Sequence, residues 1–374
     1  MSNHHTLIIG AGPAGLAVAG RMRQAGLPFT IIERSDRIGV MWSKHYDRLC
    51  LHTVKQLSNL PLLDFPTDYP VYVPRKSLLT YFEQYARHFN INPEFNQSVS
   101  GMRRTEDGWE ISTSQKIYRA NSVVVCTGIN RIPVLPHWDG ESQFTGTITH
   151  SADYKNPSPY RNKQVLIIGM GNTGAEIALD LAEHNIDVTL SVRSPITIVP
   201  RDVAGNPVQV TAKTLDRLPW GIGDWIGTQI RKIVIGNLGK YGVPLSSTHP
   251  AVQLRETGKT PVIDLGTVAM IKKGKIKVVG DVAGFGDTEI HFKDGSSRPF
   301  DAVILATGYR AMLEEFIPGI RDFLDQNGYP KAPIGYGAFE DLYFVGFDNY
   351  KLGGILGTIY NDSLTVVEQI QTRS

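Results

Sequence analysis

Two glycine-rich loops in this chain could each hold the pyrophosphate of a dinucleotide. The first is Gly10-Ala11-Gly12-Pro13-Ala14-Gly15, and the second is Gly169-Met170-Gly171-Asn172-Thr173-Gly174. Each loop follows an apolar run typical of a buried strand and precedes a helical stretch, and the unpaired N–H groups at the start of such a helix bind an anion. One GxGxxG pattern alone is weak evidence, but two in full strand–loop–helix–strand context predict a protein that binds two dinucleotides.

The residue that ends the second strand of each unit differs in charge. Glu33 follows the apolar run Phe29-Thr30-Ile31-Ile32, whereas Arg193 follows Val188-Thr189-Leu190-Ser191-Val192. A carboxylate at this position binds the ribose hydroxyls, while a guanidinium suits an added 2′-phosphate. We therefore predict that the first loop and Glu33 bind FAD, and that the second loop and Arg193 bind NADPH.

Two further strand-like runs, residues 122–126 and 301–306, each end in a Thr-Gly pair, namely Thr127-Gly128 and Thr307-Gly308. Glycine there permits either close backbone approach to a nucleotide or a sharp crossing between domains. Because each pair follows one nucleotide unit, the crossing interpretation is favoured. We predict an α/β fold with two Rossmann-like dinucleotide-binding domains, the NADPH domain being inserted into the FAD domain.

The expected bounds are 1–158 and 301–374 for the FAD domain and 159–300 for the NADPH domain. Within residues 301–374, the second part of the FAD domain, residues 342–347 are predicted to form the last strand. The glycine-rich segment 353–357 is predicted to open the terminal helix, either facing the flavin or serving as a plain loop. An apolar helical insertion is expected around residues 215–240.

Composition excludes several classes of protein. The 374 residues suffice for two domains with substantial cores. The near balance of 38 basic and 36 acidic residues argues against nucleic acid as a partner. No apolar run approaches the length of a membrane span, and a strand that starts near residue 6 leaves no room for a signal peptide. No metal-ligand cluster or nucleophile elbow stands out, and the lysine-rich segment 272–277 is predicted to be an exposed hairpin turn.

The two cysteines, Cys50 and Cys126, lie far apart in unrelated contexts. This spacing predicts no disulfide framework and favours a reducing, cytoplasmic setting. It also argues against a dithiol reductase, which needs a redox-active cysteine pair, although a single-cysteine enzyme stays open. What remains is NADPH-driven oxygen chemistry, in which the reduced flavin adds dioxygen as a peroxide or hydroperoxide and the protein excludes water.

One segment just before the second loop carries a specific family motif. Residues Phe144, Gly146, His150 and Tyr154 fit the pattern FxGxxxHxxxY, which identifies flavin-containing monooxygenases of class B. The tyrosine at the last position of the motif, Tyr154, resembles that of the flavin-containing and N-hydroxylating branch of the family. Baeyer–Villiger enzymes usually have tryptophan at this position. His150 could either contact substrate or organise an interdomain loop.

Almost the whole chain resembles the plant YUCCA flavin monooxygenases. The resemblance is carried by Glu33-Arg34-Ser35-Asp36, Met41-Trp42, residues 46–52, residues 215–220, Gly258-Lys259-Thr260-Pro261-Val262-Ile263-Asp264 and residues 306–310. It implies a tryptophan beside FAD and a catalytic His52, which would hydrogen-bond near the reacting flavin edge unless its role is structural. Together with the patterns above, it implies further cofactor contacts at Arg34, Met41, Trp42, His52, Thr53, Gln56, Thr127, Gly128, Ser194, Thr307, Gly308, Tyr309 and Leu356, besides Pro13 and Ala14 in the first loop.

YUCCA enzymes convert indole-3-pyruvate to indole-3-acetate with FAD, NADPH and dioxygen. The resemblance therefore implies oxidative decarboxylation of an aromatic 2-keto acid. The alternatives are N- or S-oxygenation of a small amine or thioether, NADPH oxidase activity, and a redox-sensing flavoprotein without useful turnover. The expected partners are a small-molecule substrate and dioxygen, and the sequence is compatible with a homodimer.

Overall fold

A computed structural model describes residues 4–215, 222–351 and 353–373 of the chain. Six residues of the expected helical insertion, 216–221, therefore lie outside the described part.

The described elements are numbered along the chain. The strands are β1 (Thr6–Ile9), β2 (Phe29–Ile32), β3 (Val99–Thr105), β4 (Gly108–Thr113), β5 (Ile117–Ala120), β6 (Ser122–Val125), β7 (Ile132–Pro133), β8 (Thr147–His150), β9 (Gln164–Ile168), β10 (Asp187–Ser191), β11 (Ile198–Pro200), β12 (Asp202–Val203), β13 (Asn206–Pro207), β14 (Val262–Asp264), β15 (Ile276–Val279), β16 (Val282–Phe285), β17 (Glu289–Phe292), β18 (Ser297–Pro299), β19 (Ala302–Leu305), β20 (Tyr309–Arg310) and β21 (Leu342–Phe344). The helices are α1 (Pro13–Gln24), α2 (Val40–Ser43), α3 (Arg75–His88), α4 (Asn172–Glu183), α5 (Val208–Leu215), α6 (Ile222–Ile235), α7 (Pro250–Thr257), α8 (Thr267–Lys272) and α9 (Gly354–Arg373).

The chain divides into two compact units. The first comprises Met1–Lys44, Thr53–Ile132 and Tyr309–Ser374, and the second comprises His45–His52 and Pro133–Gly308. Each unit is built on one parallel sheet, as expected for strands that alternate with helices along the chain.

The first unit contains a four-stranded parallel sheet in the order β2-β1-β6-β21. Strands β1 and β6 are buried along their whole length, which explains why they are nearly continuous apolar runs. One face of this sheet packs against the antiparallel sheet β3-β4-β5, through residues such as Leu7, Val125 and Trp109. Helix α1 starts within the first glycine loop, with Gly12 as its N-cap and Pro13 as its first residue, where proline is well tolerated.

The second unit contains a five-stranded parallel sheet in the order β15-β10-β9-β19-β8. Alternate residues of β9 enter two separate apolar clusters, because successive side chains of a strand point to opposite faces. Val165 and Ile167 pack with α4 residues such as Ile177. Leu166 and Ile168 share the other cluster with residues of the antiparallel sheet β16-β17-β18.

The unit boundaries differ from the sequence bounds. The chain passes between the units at 132/133 and 308/309, not at 158/159 and 300/301. The reason is pairing: β8 and β19 both lie in the sheet of the second unit, where β19 pairs with β8 on one side and β9 on the other. Residues 45–52 also belong to the second unit, although the residues on both sides of them belong to the first.

Other local expectations can be compared with the observed elements. Residues 342–344 form β21, which pairs with β6, and the terminal helix α9 starts at Gly354. The lysine-rich segment 272–277 does not form a hairpin turn. Instead it joins the end of α8 to β15, with Gly274 at a φ of +69°. A glycine in the left-handed region ends a helix as readily as it forms a hairpin turn, which is why the sequence suggested the wrong element.

Candidate nucleotide-binding and catalytic sites

The three glycines of the first loop have different roles. Gly10 has a φ of +107°, and a Cβ there would lie 2.7 Å from the carbonyl oxygen of Cys126. A Cβ on Gly15 would overlap the carbonyl oxygen of Gly10. A Cβ on Gly12, in contrast, would meet no atom of the described chain within 4 Å apart from its immediate neighbours in sequence. Two glycines are therefore required by packing, whereas Gly12 keeps open the space that a pyrophosphate needs.

The second loop repeats this geometry in the second unit. Gly169 has a φ of +106°, and its Cβ would lie 2.7 Å from the carbonyl oxygen of Ala306. A Cβ on Gly174 would overlap the carbonyl oxygen of Gly169, while one on Gly171 would find nothing within 4 Å among the described atoms. The residues of both loops therefore fit a dinucleotide in the same way.

Glu33 lies at the carboxyl end of β2, beside the first loop. Its carboxylate oxygens accept hydrogen bonds from the backbone N–H groups of Ala11, at 2.8 Å, and Ser35, at 2.9 Å. These bonds fix the side chain at the edge where the ribose of a nucleotide is expected. The next residue, Arg34, is exposed and donates to the sulfur of Met41 at 3.5 Å.

The two Thr-Gly pairs differ in their hydroxyls. The hydroxyl of Thr307 donates a hydrogen bond to the carbonyl oxygen of Val134 at 2.6 Å, so its side chain links the segment after β19 to Val134. The hydroxyl of Thr127, next to the first loop, is buried and has no hydrogen-bond partner in the described part of the chain. A buried polar atom without a partner at this edge suits contact with a bound ligand. Gly128 and Gly308 both adopt positive φ, at +74° and +84°.

The residues expected around the NADPH phosphates differ in whether their side chains are available to a ligand. Arg193 and Ser194 follow β10 and are exposed, and no described residue hydrogen-bonds to the guanidinium of Arg193. The side chain of Asn172 is already engaged, since it donates to the carbonyl oxygen of Pro261 at 3.1 Å and accepts from the N–H of Ile263 at 2.7 Å. Asn172 and Thr173 lie in the first turn of α4, so their backbone N–H groups are the ones suited to a pyrophosphate.

Several expected flavin contacts lie on short elements of the first unit. Met41 and Trp42 are on α2, and the indole ring meets the ring of Phe82 edge-on at 6.3 Å between centroids. Thr53 abuts the start of α9, where a Cβ on Gly354 would lie 2.9 Å from its methyl group. Leu356 is buried on the first turn of α9, Gln56 is exposed, and Tyr309 begins β20.

The family motif spans strand β8, so its two halves lie at opposite ends of that strand. Phe144 and Gly146 precede β8, and a Cβ on Gly146 would lie 2.5 Å from the Phe144 ring. His150 ends β8 and is buried, and its Nδ1 accepts from the N–H of Ala152 at 3.1 Å. Burial lowers the pKa of His150, an effect opposed by a hydrogen bond to the backbone of Gly308. The first half of the motif therefore has a packing role at the start of β8. Only the second half lies at the carboxyl ends of the strands, where the nucleotide loop is also found.

A row of acidic residues on α4 was not predicted from the sequence. Glu176, Asp180 and Glu183 lie three and four positions apart, so they share one face of the helix. The first two are only 3% and 5% exposed, and carboxylates are that deeply buried only when they are paired. The sequence signal that could have revealed this row is the spacing of three acidic residues on an otherwise apolar helix.

The partners of this acidic row come from two other segments. From 45–52, the hydroxyl of Tyr46 donates to Glu176 Oε2 at 2.7 Å, and His52 Nε2 lies 3.0 Å from the same oxygen. Arg48 pairs with Asp180 at 3.2 Å and with Glu183 at 2.7 Å. The motif residue Tyr154 donates its hydroxyl to the second oxygen of Asp180 at 2.7 Å. His52 and Tyr154 thus both contact α4, which the linear spacing did not reveal.

Neither thiol has the setting of a nucleophile. Burial raises the pKa of both Cys50 and Cys126, and neither forms a disulfide. A protonated thiol is a poor nucleophile, which accords with the argument against dithiol chemistry.

Comparison with known proteins identifies the family. A family model described as FMO-like, flavin-binding monooxygenase-like, matches residues 3–321. The chain belongs to the flavin-binding monooxygenases. Among the described residues of this flavin monooxygenase, no helix is long and apolar enough to cross a membrane.

Three relatives show how far the likeness extends. The chain is 34% identical over 383 residues to indole-3-pyruvate monooxygenase YUCCA4 of Oryza sativa subsp. japonica, covering 97% of this chain and 87% of that protein. A flavin-containing monooxygenase from Stenotrophomonas maltophilia has the same fold, with a TM-score of 0.76, 20% identity and 99% of each chain covered. OTEMO in complex with FAD and NADP matches with a TM-score of 0.74 and 16% identity, covering 98% of this chain and 85% of that one.

These findings confirm the predicted family and fold. The flavin monooxygenase has the α/β architecture of class B enzymes, and the YUCCA indole-3-pyruvate monooxygenases are among its curated relatives. It is therefore an enzyme of a family that uses FAD and NADPH.

Proposed function

We propose that this flavin monooxygenase converts an aromatic 2-keto acid, of the indole-3-pyruvate type, into the acid one carbon shorter. The observation that carries the proposal is the likeness to an indole-3-pyruvate monooxygenase over nearly the whole chain. The two loop geometries support it, because the reaction needs both a flavin and a nicotinamide nucleotide.

In this proposal the first unit holds FAD and the second holds NADPH. Gly12, Glu33 and the unpartnered hydroxyl of Thr127 would line the FAD phosphates and ribose. Gly171 and the exposed Arg193 would receive the pyrophosphate and 2′-phosphate of NADPH. When bound, NADPH supplies a hydride and FAD passes the electrons to dioxygen.

The overall reaction balances with one proton consumed. A 2-keto acid anion, dioxygen, NADPH and one proton give the shortened carboxylate, carbon dioxide, NADP⁺ and water. The carbon–carbon bond to the carboxylate breaks, one oxygen atom enters the product acid, and the other leaves as water. The chain must therefore bind an anionic aromatic substrate and deliver a proton to the departing oxygen.

The test is isotopic. The purified enzyme is supplied with NADPH, ¹⁸O₂ and either indole-3-pyruvate or phenylpyruvate, and products are analysed by mass spectrometry with hydrogen peroxide measured in parallel. We expect one ¹⁸O atom in the shortened acid and one carbon dioxide for each NADPH. A small amine and a thioether, tested under the same conditions, serve as the comparison substrates.

Other outcomes point to the other functions. A labelled N-oxide or sulfoxide without a labelled acid would replace the keto-acid proposal by N- or S-oxygenation. Hydrogen peroxide as the only product would indicate an NADPH oxidase, and flavin that NADPH does not bleach would indicate a sensor. We also propose a reducing, cytoplasmic location, supported by the two unpaired thiols.

A further inference from the structure

His52 and Glu176 form a histidine–carboxylate pair that lies within the second unit. Their Nε2 and Oε2 atoms are 3.0 Å apart, and Glu176 is 3% exposed whereas the His52 side chain is 21% exposed. The same carboxylate oxygen also accepts the hydroxyl of Tyr46 at 2.7 Å. One buried oxygen therefore receives two donors.

This arrangement fixes which ring nitrogen carries the proton. A carboxylate accepts hydrogen bonds but does not donate them, so Nε2 of His52 must be the donor. In the neutral ring, the other nitrogen, Nδ1, is then an acceptor with a free lone pair. None of the residues that the structure describes hydrogen-bonds to Nδ1 of His52.

Glu176 lies on α4, the helix that begins at the second glycine loop. Glu176 is four residues after Asn172, the first residue of α4. At a rise of about 1.5 Å per residue, the Cα atom of Glu176 is about 6 Å along the helix axis from that of Asn172, in the turn whose N–H groups suit a pyrophosphate. The partially exposed ring of His52 therefore contacts the helix whose first turn is expected to bind the NADPH phosphates.

We propose that Glu176 is the positioning residue for His52 and that Nδ1 of His52 is the atom through which the enzyme exchanges a proton. The proton enters at Nδ1, and the resulting imidazolium is stabilised by the buried carboxylate of Glu176. The reaction proposed above consumes one proton, so the ring gives up this proton and is regenerated. This last step rests on the proposed function, whereas the orientation of the ring does not.

The orientation can be tested by NMR on the whole protein. Long-range ¹H–¹⁵N spectra of the ¹⁵N-histidine-labelled enzyme are recorded near neutral pH, and the signals of His52 are assigned by their loss in His52→Asn. We expect the Nε2–H form with a ring proton that exchanges slowly enough to be seen. Glu176→Ala should remove that proton signal, whereas Tyr46→Phe, which deletes only the other donor, should keep it.

A kinetic measurement separates positioning from mere folding. Glu176→Gln keeps an accepting oxygen but loses the negative charge, so we expect kcat per bound flavin to fall about tenfold. The KM for NADPH and the melting temperature should change little. The proposal would be overturned by the Nδ1–H form in the native enzyme, by identical spectra for the native enzyme and Glu176→Ala, or by an unchanged kcat in Glu176→Gln. If no keto acid is turned over, the proposed function fails, and the spectra still decide the orientation of His52.

Discussion

The first loop offers a pair of substitutions that separate folding from cofactor binding. Gly12→Ala and Gly15→Ala each add one methyl group, three residues apart. The Gly12 methyl would meet no described protein atom within 4 Å, whereas the Gly15 methyl would overlap the Gly10 carbonyl oxygen and lie 3.0 Å from its carbon. The first should therefore weaken FAD binding, and the second should weaken the fold itself.

The expected magnitudes follow from these contacts. Carbon atoms normally pack at about 3.5–4.0 Å, so the Gly15 variant must move backbone, and overpacking of this kind costs about 1–3 kcal/mol. The Gly12 variant changes only an N-cap residue, which costs at most about 1 kcal/mol. In a unit of this size each kcal/mol lowers the melting temperature by about 2–4 °C, so the apo forms should differ by several degrees.

The assay measures both quantities on the same protein. Thermal melts of the flavin-free forms report the fold, and quenching of flavin fluorescence reports the affinity for FAD. We expect Gly12→Ala to melt close to the native protein while binding FAD at least about tenfold more weakly, a loss of about 1.4 kcal/mol. Native FAD affinity in Gly12→Ala, or flavin-free melting as low as that of Gly15→Ala, would refute the assigned role of Gly12.

Three further predictions concern single side chains. Arg193→Ala should raise the KM for NADPH much more than the KM for NADH in steady-state assays, and equal changes would show that Arg193 does not contact the 2′-phosphate. Tyr154→Phe removes a hydrogen-bond donor from buried Asp180 and should lower the free energy of unfolding by about 1–3 kcal/mol in urea titrations. An unchanged free energy of unfolding would mean that water replaces this hydrogen bond. Burial raises the pKa of Asp362 to about 6, so ionising it opposes folding as pH rises toward that value. Asp362→Asn should therefore stabilise the protein relative to the native chain more at pH 8 than at pH 4, and a pH-independent difference would contradict this.

The features that depend on local sequence could be predicted. The glycine loops, β6, β21 and the start of α9 each follow from an apolar run and the glycines beside it. The roles of individual glycines could not be predicted in the same way, because only the structure shows that Gly10 packs on the backbone of Cys126 while Gly12 faces open space. The same holds for Asn172, whose side chain is used by the strand ninety residues later.

The differences between the predicted bounds and the two units have a physical cause in long-range pairing. Strands β8 and β19 looked like parts of the first domain because they lie close in sequence to its elements, but they pair in the second sheet. The partners of Glu176 and Asp180 come from residues 46–52 and from Tyr154, and no periodicity in α4 identifies a partner that distant. The sequence therefore shows the spacing of the acidic residues on α4, but neither their burial nor their partners.

The membership of residues 45–52 in the second unit affects any attempt to split the protein. A fragment that spans only 133–308 would keep Glu176 and Asp180 but lose Tyr46, Arg48 and His52. Among the described residues, Glu176 would then lose both of its donors and Asp180 would keep only the hydroxyl of Tyr154 as a hydrogen-bond donor. A buried carboxylate left without its partners destabilises a fold more than losing both members of each pair. The octapeptide 45–52, added in trans, is thus the natural complementing piece for such a fragment, and a chimera that exchanges nucleotide domains between relatives must transfer it together with the helix that it pairs with.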